Sequence, residues 1–256
     1  MLDLAVPVLV AIALWWLSTG VVLIAVRRAP VASAVIGASV VLLVSLSGVW
    51  ATRSLETPAA AYIAFASALG VWAWVEVLLL TGVLTGSRRT ACTPNCSGFK
   101  HFRHGVEALL HHELALLGLG LLVAAMTWQA ANPVALWAYA LLWIMRQSAK
   151  LNLFFGVPNL SENLLPVQLA YMASFFKRRP MNWLFPVSIT FATALTGWLI
   201  SGLLIGDHGP YEAAALGLIA ALALLGVIEH WLLVLPIPVA ALWGVDTTPE
   251  SVKPAD

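Results

Sequence analysis

The sequence predicts an all-α polytopic membrane protein, a bundle of about seven transmembrane helices plus a short interfacial helix. The chain is 61% apolar and only 10% charged, whereas a soluble domain carries about 25% charged residues. Its mean hydropathy is +0.91. Twelve tryptophans among 256 residues fit aromatic belts at the two membrane surfaces. The net charge of +1, without a large basic patch, gives no indication of a nucleic-acid partner.

Seven segments are long enough to cross a hydrocarbon core, which needs about 20 apolar residues. The first segment does not resemble a cleavable signal peptide, because it has no basic region before it and its apolar stretch exceeds the usual 7–15 residues, roughly. Together the segments make one transmembrane domain over residues 1–245, followed by a tail at 246–256. The predicted spans are residues 4–26, 31–51, 58–84, 104–127, 133–157, 183–205 and 211–235.

Lysine and arginine residues indicate the orientation, because they concentrate in cytoplasmic loops. Twelve of the 13 fall on one side of the predicted topology, and only Arg53 falls on the other. We therefore expect the amino terminus outside and the carboxyl terminus in the cytoplasm. The twelve are Arg27, Arg28, Arg88, Arg89, Lys100, Arg103, Arg146, Lys150, Lys177, Arg178, Arg179 and Lys253.

The loop before the fourth span contains Cys92-Thr-Pro-Asn-Cys96. A structural zinc site needs four ligands, and two cysteines supply only half of them. Disulfides are rare in the cytoplasm. We therefore expect two reduced loop cysteines here.

A second loop, residues 158–182, is rich in proline, which breaks helices. Its stretch 166–176 is too short to span a membrane and is followed by Lys177-Arg-Arg179. An apolar helix with a basic end is typical of a membrane interface. We therefore predict an interfacial helix over 166–176.

Ionisable residues at bilayer depth are the main functional clue, since each costs roughly 2.5–3.5 kcal/mol even on lenient scales. In the predicted topology several of them share one layer in the cytoplasmic half of the bundle or just beyond it. Such a layer must pair its charges, hold water or metal, or perform chemistry. The members are Glu76, His112, Glu113, Arg146, Lys150, Glu162, Glu229 and His230.

Three interpretations of this layer remain open. The first is an ion-pair network around Arg146, Lys150 and Asn152 that sets helix register. The second is a metal centre, which could hold two Fe or Mn ions, because histidine and carboxylate suit those ions. The adjacent His-Glu pairs differ, however, from the Glu-x-x-His spacing of di-iron bundles. The third is a tetrapyrrole or other pigment with His112 or His230 as axial ligand. The metal ligands would be Glu76, His112, Glu113, Glu162, Glu229 and His230.

The fourth span cannot direct all its polar residues to one site. At 100° per residue, His104, Glu107 and His111 lie within about a 60° arc, whereas Glu113 points nearly opposite to His104. We therefore expect polar groups on two sides of this helix.

A series of short motifs runs through nearly the whole chain: Trp15-Trp16-Leu-Ser-Thr-Gly20, Trp74-Val-Glu76, Leu80-Thr-Gly82, Thr85-Gly86, His112-Glu113, Arg146-Gln-Ser-Ala-Lys-Leu-Asn152, Phe155-Gly-Val-Pro-Asn159, Glu162-Asn-Leu-Leu-Pro166, Arg179-Pro-Met-Asn-Trp-Leu-Phe-Pro186 and Glu229-His-Trp-Leu-Leu-Val-Leu-Pro-Ile-Pro238. In this order the motifs resemble the photosynthetic complex assembly protein 2 family (PuhE) of phototrophic bacteria. The resemblance implies a bacterial inner (intracytoplasmic) membrane protein, and the lysine and arginine placement puts its amino terminus on the periplasmic side. The resemblance also implies reaction-centre and core antenna polypeptides as partners, with bacteriochlorophyll as a possible cofactor. It supplies no catalytic residue.

Two functional hypotheses follow. One is a non-enzymatic assembly factor for the reaction centre and core light-harvesting complex, which could also handle bacteriochlorophyll. The other is a membrane oxidoreductase with a Glu/His metal site that acts on a pigment precursor or a lipid-soluble substrate. Between the two, we expect a protein without enzymatic activity.

Overall fold

The computed structural model describes residues 2–93, 96–160, 162 and 165–237, and the predicted tail at 246–256 lies outside these residues. The all-α class is confirmed, because the described residues form helices and no strand. The helices are α1 (Leu2–Arg28), α2 (Val31–Thr52), α3 (Pro58–Leu80), α4 (Gly98–Met126), α5 (Val134–Phe155), α6 (Leu184–Ile205) and α7 (Pro210–Leu232), with a 3₁₀ helix (Val167–Phe175) between α5 and α6.

Six of these helices are long and apolar enough to cross a membrane, namely α1, α2, α3, α4, α6 and α7. The chain is therefore a multi-pass membrane protein. Helix α5 is of similar length but carries Arg146, Gln147, Lys150 and Asn152. It packs against α3, α4, α6 and α7, so neighbouring helices cover its polar residues on several sides.

Helix α3 shows how local sequence sets helix ends. Pro58 occupies its first turn, and the Thr57 hydroxyl accepts a hydrogen bond from the Ala60 N–H at 3.2 Å, which satisfies a donor at the helix start. The helix ends at Leu80, four residues before the predicted end at 84, because Gly82 adopts a left-handed φ of 76°. Helix α4, in turn, starts at Gly98 rather than 104.

The core is built around α3 and α7. Their most apolar windows are 56% and 44% buried within the protein, against 11% for α1 and α2. Alanines at 60, 61, 64 and 68 of α3 are all buried, and small residues allow helices in a membrane to approach closely. The outer helices α1 and α2 therefore expose most of their surface to lipid or to partners.

Three elements end or turn at one end of the bundle, which we call the basic end: the loop 81–97, the segment 156–183 and the carboxyl end of α7. The 3₁₀ helix Val167–Phe175 lies here and contacts the end of α3 through the Gln168 amide, which donates to the Leu80 carbonyl at 2.8 Å. The predicted interfacial helix is thus a 3₁₀ helix beginning after Pro166.

Candidate functional site

Two ion pairs near the basic end connect α5 to its neighbours. The Arg146 Nη2 atom lies 3.2 Å from Glu76 Oε2 of α3, and the Lys150 Nζ atom lies 2.6 Å from Glu113 Oε1 of α4. The Gln147 amide donates to the other oxygen of Glu113. Because the two cations lie one turn apart on α5, they would repel each other in the absence of these carboxylates.

The polar layer is enclosed on one side and open on the other. The side chains of Glu76 and Lys150 are 13% and 16% exposed, whereas Arg146 is 43% exposed. Glu229 is also exposed. It acts electrostatically on Arg146, but it forms no ion pair within the described part of the chain. Charge therefore reaches the lateral surface of the bundle at Arg146 and Glu229.

His230 is buried in the bundle with both ring nitrogens engaged. Its Nδ1 lies 2.8 Å from the Gly226 carbonyl one turn earlier on α7. Its Nε2 lies 2.8 Å from the Ser148 hydroxyl of α5. Since a carbonyl only accepts, Nδ1–H donates to Gly226 and Nε2 accepts from Ser148. This histidine therefore links α7 to α5, and neither nitrogen is free to ligate a metal or pigment.

His112 differs from His230, because neither of its ring nitrogens has a hydrogen-bond partner among the described residues, although the side chain is fully buried. Its backbone N–H donates to the Thr85 carbonyl at 2.9 Å. A Cβ on Gly86 would lie 2.0 Å from the Glu107 carbonyl oxygen. Only glycine therefore lets the loop approach α4 this closely, and this contact holds the His112-Glu113 turn in place.

Glu162 and Asn152 lie in other networks. Glu162 Oε1 is 2.5 Å from Arg178 Nη2, and Arg178 also donates to the Pro158 carbonyl. The nearest cation to Glu162 is thus in its own loop rather than on α5. Asn152 is fully buried and donates to the Ser188 hydroxyl at 3.1 Å.

The predicted six-residue metal set is not assembled as a ligand set. Among the described residues, the group of three or more potential ligands whose atoms lie within 4.8 Å of one another is Cys92, Cys96 and His104. None of these belongs to the predicted set. The physical reason is that Glu76 and Glu113 are held by cations, Glu162 turns to Arg178, and His230 bonds to Ser148.

Sequence reasoning missed Asn182, which closes the Asn152 network. Its Nδ2 donates to Asn152 Oδ1 at 3.1 Å and to the Gly156 carbonyl at 2.9 Å. Its Oδ1 accepts from the N–H groups of Leu184 and Phe185. An asparagine just before an apolar helical segment is a typical N-terminal cap, so its position before α6 was the available signal.

The loop cysteines lie apart from the polar layer and are both free thiols. Burial raises the pKa of the Cys92 thiol, and its contact with Cys96 raises this pKa further. These residues contact His101 and His104 at the start of α4. The structure thus places a second polar cluster on the side of α4 opposite to Glu113, as the helical geometry predicts.

Comparison with known proteins places the chain in a family. The family described as "Protein of unknown function (DUF3623)" matches residues 1–253. A Rhodobacter capsulatus protein, described as an uncharacterized 30.4 kDa protein in the puhA 5′ region, is 37% identical over 242 residues, which is 92% of this chain and 88% of the relative. No solved structure matches the chain. The chain therefore belongs to the DUF3623 family.

Proposed function

We propose that this protein is an integral membrane assembly factor for the bacterial photosynthetic reaction centre and its core light-harvesting complex. The observation that carries the proposal is the 37% identity, across 92% of the chain, to the Rhodobacter capsulatus protein named for the puhA 5′ region. The sequence motifs that resemble the PuhE family support the same role, because that family is tied to assembly of these complexes.

The open side of the polar layer is the surface that supports this role. Arg146 and Glu229 are exposed within helices that lie among the membrane-spanning ones. A charge that faces hydrocarbon is costly, so a partner helix with a complementary polar group would be stabilised against this face. The apolar side chain that precedes Glu229 on α7, Ile228, is also exposed. We assign this face to a transmembrane helix of a reaction-centre or core antenna polypeptide.

The two predicted pigment ligands do not fit a bacteriochlorophyll in this arrangement. Both ring nitrogens of His230 are engaged with Gly226 and Ser148. His112 is completely enclosed, and a macrocycle needs open space beside its axial ligand. The proposal therefore assigns polypeptide binding, rather than pigment ligation, to the polar layer.

Deletion of the gene from its phototrophic host tests the proposed function. We expect the amounts of assembled reaction centre and core antenna to fall, whereas respiratory growth stays normal. Native gel electrophoresis with absorption spectroscopy of the membranes measures both complexes. Accumulation of one pigment precursor with a block in pigment synthesis would contradict the proposal and support the oxidoreductase alternative.

Substitution of Glu229 by glutamine tests the binding face in the complemented strain. We expect Glu229→Gln to reduce the assembled complexes without reducing the abundance of the protein itself, because Glu229 forms no ion pair within the described residues. Glu212→Gln is the matched control, since Glu212 is an exposed glutamate at the other end of the same helix. Equal complex levels in both variants would remove the binding role from this face.

Photo-crosslinking identifies directly which polypeptide binds the face beside Arg146 and Glu229. A photoreactive phenylalanine analogue replaces Ile228 beside the polar layer or, as a control, Phe191 on the exposed surface of α6. We expect the first position to crosslink to a reaction-centre or core antenna polypeptide and the second to crosslink to neither. Equal crosslinking to lipid alone at both positions would argue against a helix partner at this face.

A further inference from the structure

Three potential metal ligands converge where the loop 81–97 meets the start of α4. The Sγ atoms of Cys92 and Cys96 each lie 3.4 Å from Nδ1 of His104. The ligand atoms of these three residues all lie within 4.8 Å of one another. His104 is buried, and the two cysteines are partly buried. Two thiols and an imidazole thus surround a common point.

His101 adds a fourth donor to this cluster. Its Nδ1 lies 3.3 Å from the Cys92 Sγ atom, and its Nε2 lies 3.4 Å from the Phe175 carbonyl oxygen. A hydrogen on Nε2 that points to this carbonyl leaves the lone pair of Nδ1 directed towards the sulfur. Metal-binding histidines use the same arrangement, in which the second ring nitrogen donates to a carbonyl or carboxylate.

The distances match a tetrahedral zinc site. Zinc binds sulfur at about 2.3 Å and imidazole nitrogen at about 2.0–2.1 Å, so a tetrahedral angle separates the two donors by about 3.5 Å. The observed sulfur–nitrogen distances of 3.3–3.4 Å lie close to this value. The set that lies within 4.8 Å does not include His101, so His101 completes the tetrahedron only after a small side-chain movement.

Hydrogen bonds between thiols and imidazoles explain the cluster less well. Two thiols hold two hydrogens, and the Nδ1 atom of His104 has a single lone pair in the ring plane. The cluster has three sulfur–nitrogen contacts, and Cys92 and His104 each take part in two of them. Two thiol hydrogens and one lone pair on His104 cannot make three good hydrogen bonds at once. A cation at the centre satisfies all of the contacts together.

The surroundings of the cluster favour a structural ion. His101 stacks on Phe154 of α5 at 5.0 Å between ring centroids. The Cys92 N–H donates to the Ser174 hydroxyl of the 3₁₀ helix at 2.9 Å. An ion held here would connect the loop, α4, α5 and the 3₁₀ helix. The chain supplies four donors and leaves no open position, which is typical of structural rather than catalytic zinc.

We propose that Cys92, Cys96 and His104, completed by His101, form a structural zinc site at the basic end of the bundle. The spacing is Cys-x3-Cys-x4-His-x2-His, and the two histidines lie three residues apart on one face of α4. Two thiolates and two neutral imidazoles neutralise the charge of Zn²⁺. Sulfur and imidazole ligands select zinc over magnesium or calcium. This site is independent of the assembly role proposed above.

The full chain, purified in detergent without a histidine tag, tests the site. We expect elemental analysis to find one zinc per chain and no stoichiometric iron or manganese. After removal of zinc, addition of Co²⁺ should produce the visible absorption bands of tetrahedral thiolate coordination. Cys92→Ser and His104→Ala should each lower the affinity for zinc by roughly 100-fold or more, since even outer ligand contacts are worth about 10–100-fold. His111→Ala, an exposed histidine on the same helix, should leave the affinity unchanged.

The wild-type protein decides the proposal even where a variant fails to fold. A chain that keeps two reduced thiols but binds neither Zn²⁺ nor Co²⁺ would overturn the proposal. A Cys92–Cys96 disulfide, found by mass spectrometry in protein isolated from membranes of the host, would also overturn it. Unchanged zinc affinity in Cys92→Ser would overturn it as well. Unchanged affinity in His101→Ala would exclude His101 as the fourth ligand.

Discussion

Lys150 of α5 lies 2.6 Å from the Glu113 carboxylate of α4, while Arg146, one turn earlier on the same helix, pairs with Glu76 of α3. Helix α5 thus divides its two cations between two neighbouring helices. Sliding α5 along its axis would break both pairs at once. The pairs therefore define the register of three helices.

We expect Glu113→Gln to destabilise the protein by about 1–3 kcal/mol, between the values for exposed and fully buried ion pairs, because Lys150 would remain in a mostly buried position. Thermal unfolding in detergent measures this change. Glu107→Gln is the control, because Glu107 pairs with the exposed Arg103 and such pairs contribute about 0–1 kcal/mol. A second substitution, Lys150→Met, should recover part of the loss, and equal melting of the two single variants would refute the structural role.

Substitution of Gly86 by alanine tests the contact between the loop 81–97 and α4, and substitution of Gly118 is its control. We expect Gly86→Ala to destabilise the protein strongly, because a Cβ there would lie 2.0 Å from the Glu107 carbonyl oxygen and cannot avoid backbone atoms. Gly118→Ala, within α4, meets no atom within 4 Å and should be neutral or stabilising by up to about 1 kcal/mol. Protein abundance in membranes and melting in detergent measure both. An equal effect of the two substitutions would mean that the loop does not pack as described.

The two buried histidines should respond differently to the same substitution. His230→Leu removes hydrogen bonds to Gly226 and Ser148 and leaves the Ser148 hydroxyl buried, so we expect a loss of about 1–3 kcal/mol. His112→Leu removes two ring nitrogens that have no partner among the described residues, so we expect no loss or a small gain. Melting in detergent separates the two cases. Normal stability with lost assembly activity in His112→Leu would instead indicate that His112 has a ligand or partner during function.

Alkaline phosphatase fusions test the orientation of the chain and whether α5 crosses the membrane together with the other six long helices. Lysine and arginine placement predicts that fusions after Leu55 and after Ala131 are active, because it assigns both positions to loops on the periplasmic side. Fusions after Arg89 and after Lys177 should be inactive. An inactive fusion after Ala131, with an active one after Leu55, would show that α4 and α5 do not cross the membrane as a pair.

The sequence by itself determined the class of protein, the number of long helices and the two-sided character of α4. These properties depend on composition and on residues close together in the chain, where hydropathy and the helical rotation of 100° per residue apply directly. His104 and Glu113 therefore proved to lie in separate clusters. The cap at Asn182 was equally local, although it was not recognised.

Only the tertiary structure decided which polar groups meet. Glu162 pairs with Arg178 of its own loop rather than with Arg146 or Lys150. His230 contacts α5 at Ser148, and Asn152 bonds to Asn182. Sharing a depth does not make two residues neighbours, because contact also requires adjacent helices and matching rotation about each helix axis. The same packing brought Cys92 and Cys96 to His104, across a loop whose path a single sequence does not specify.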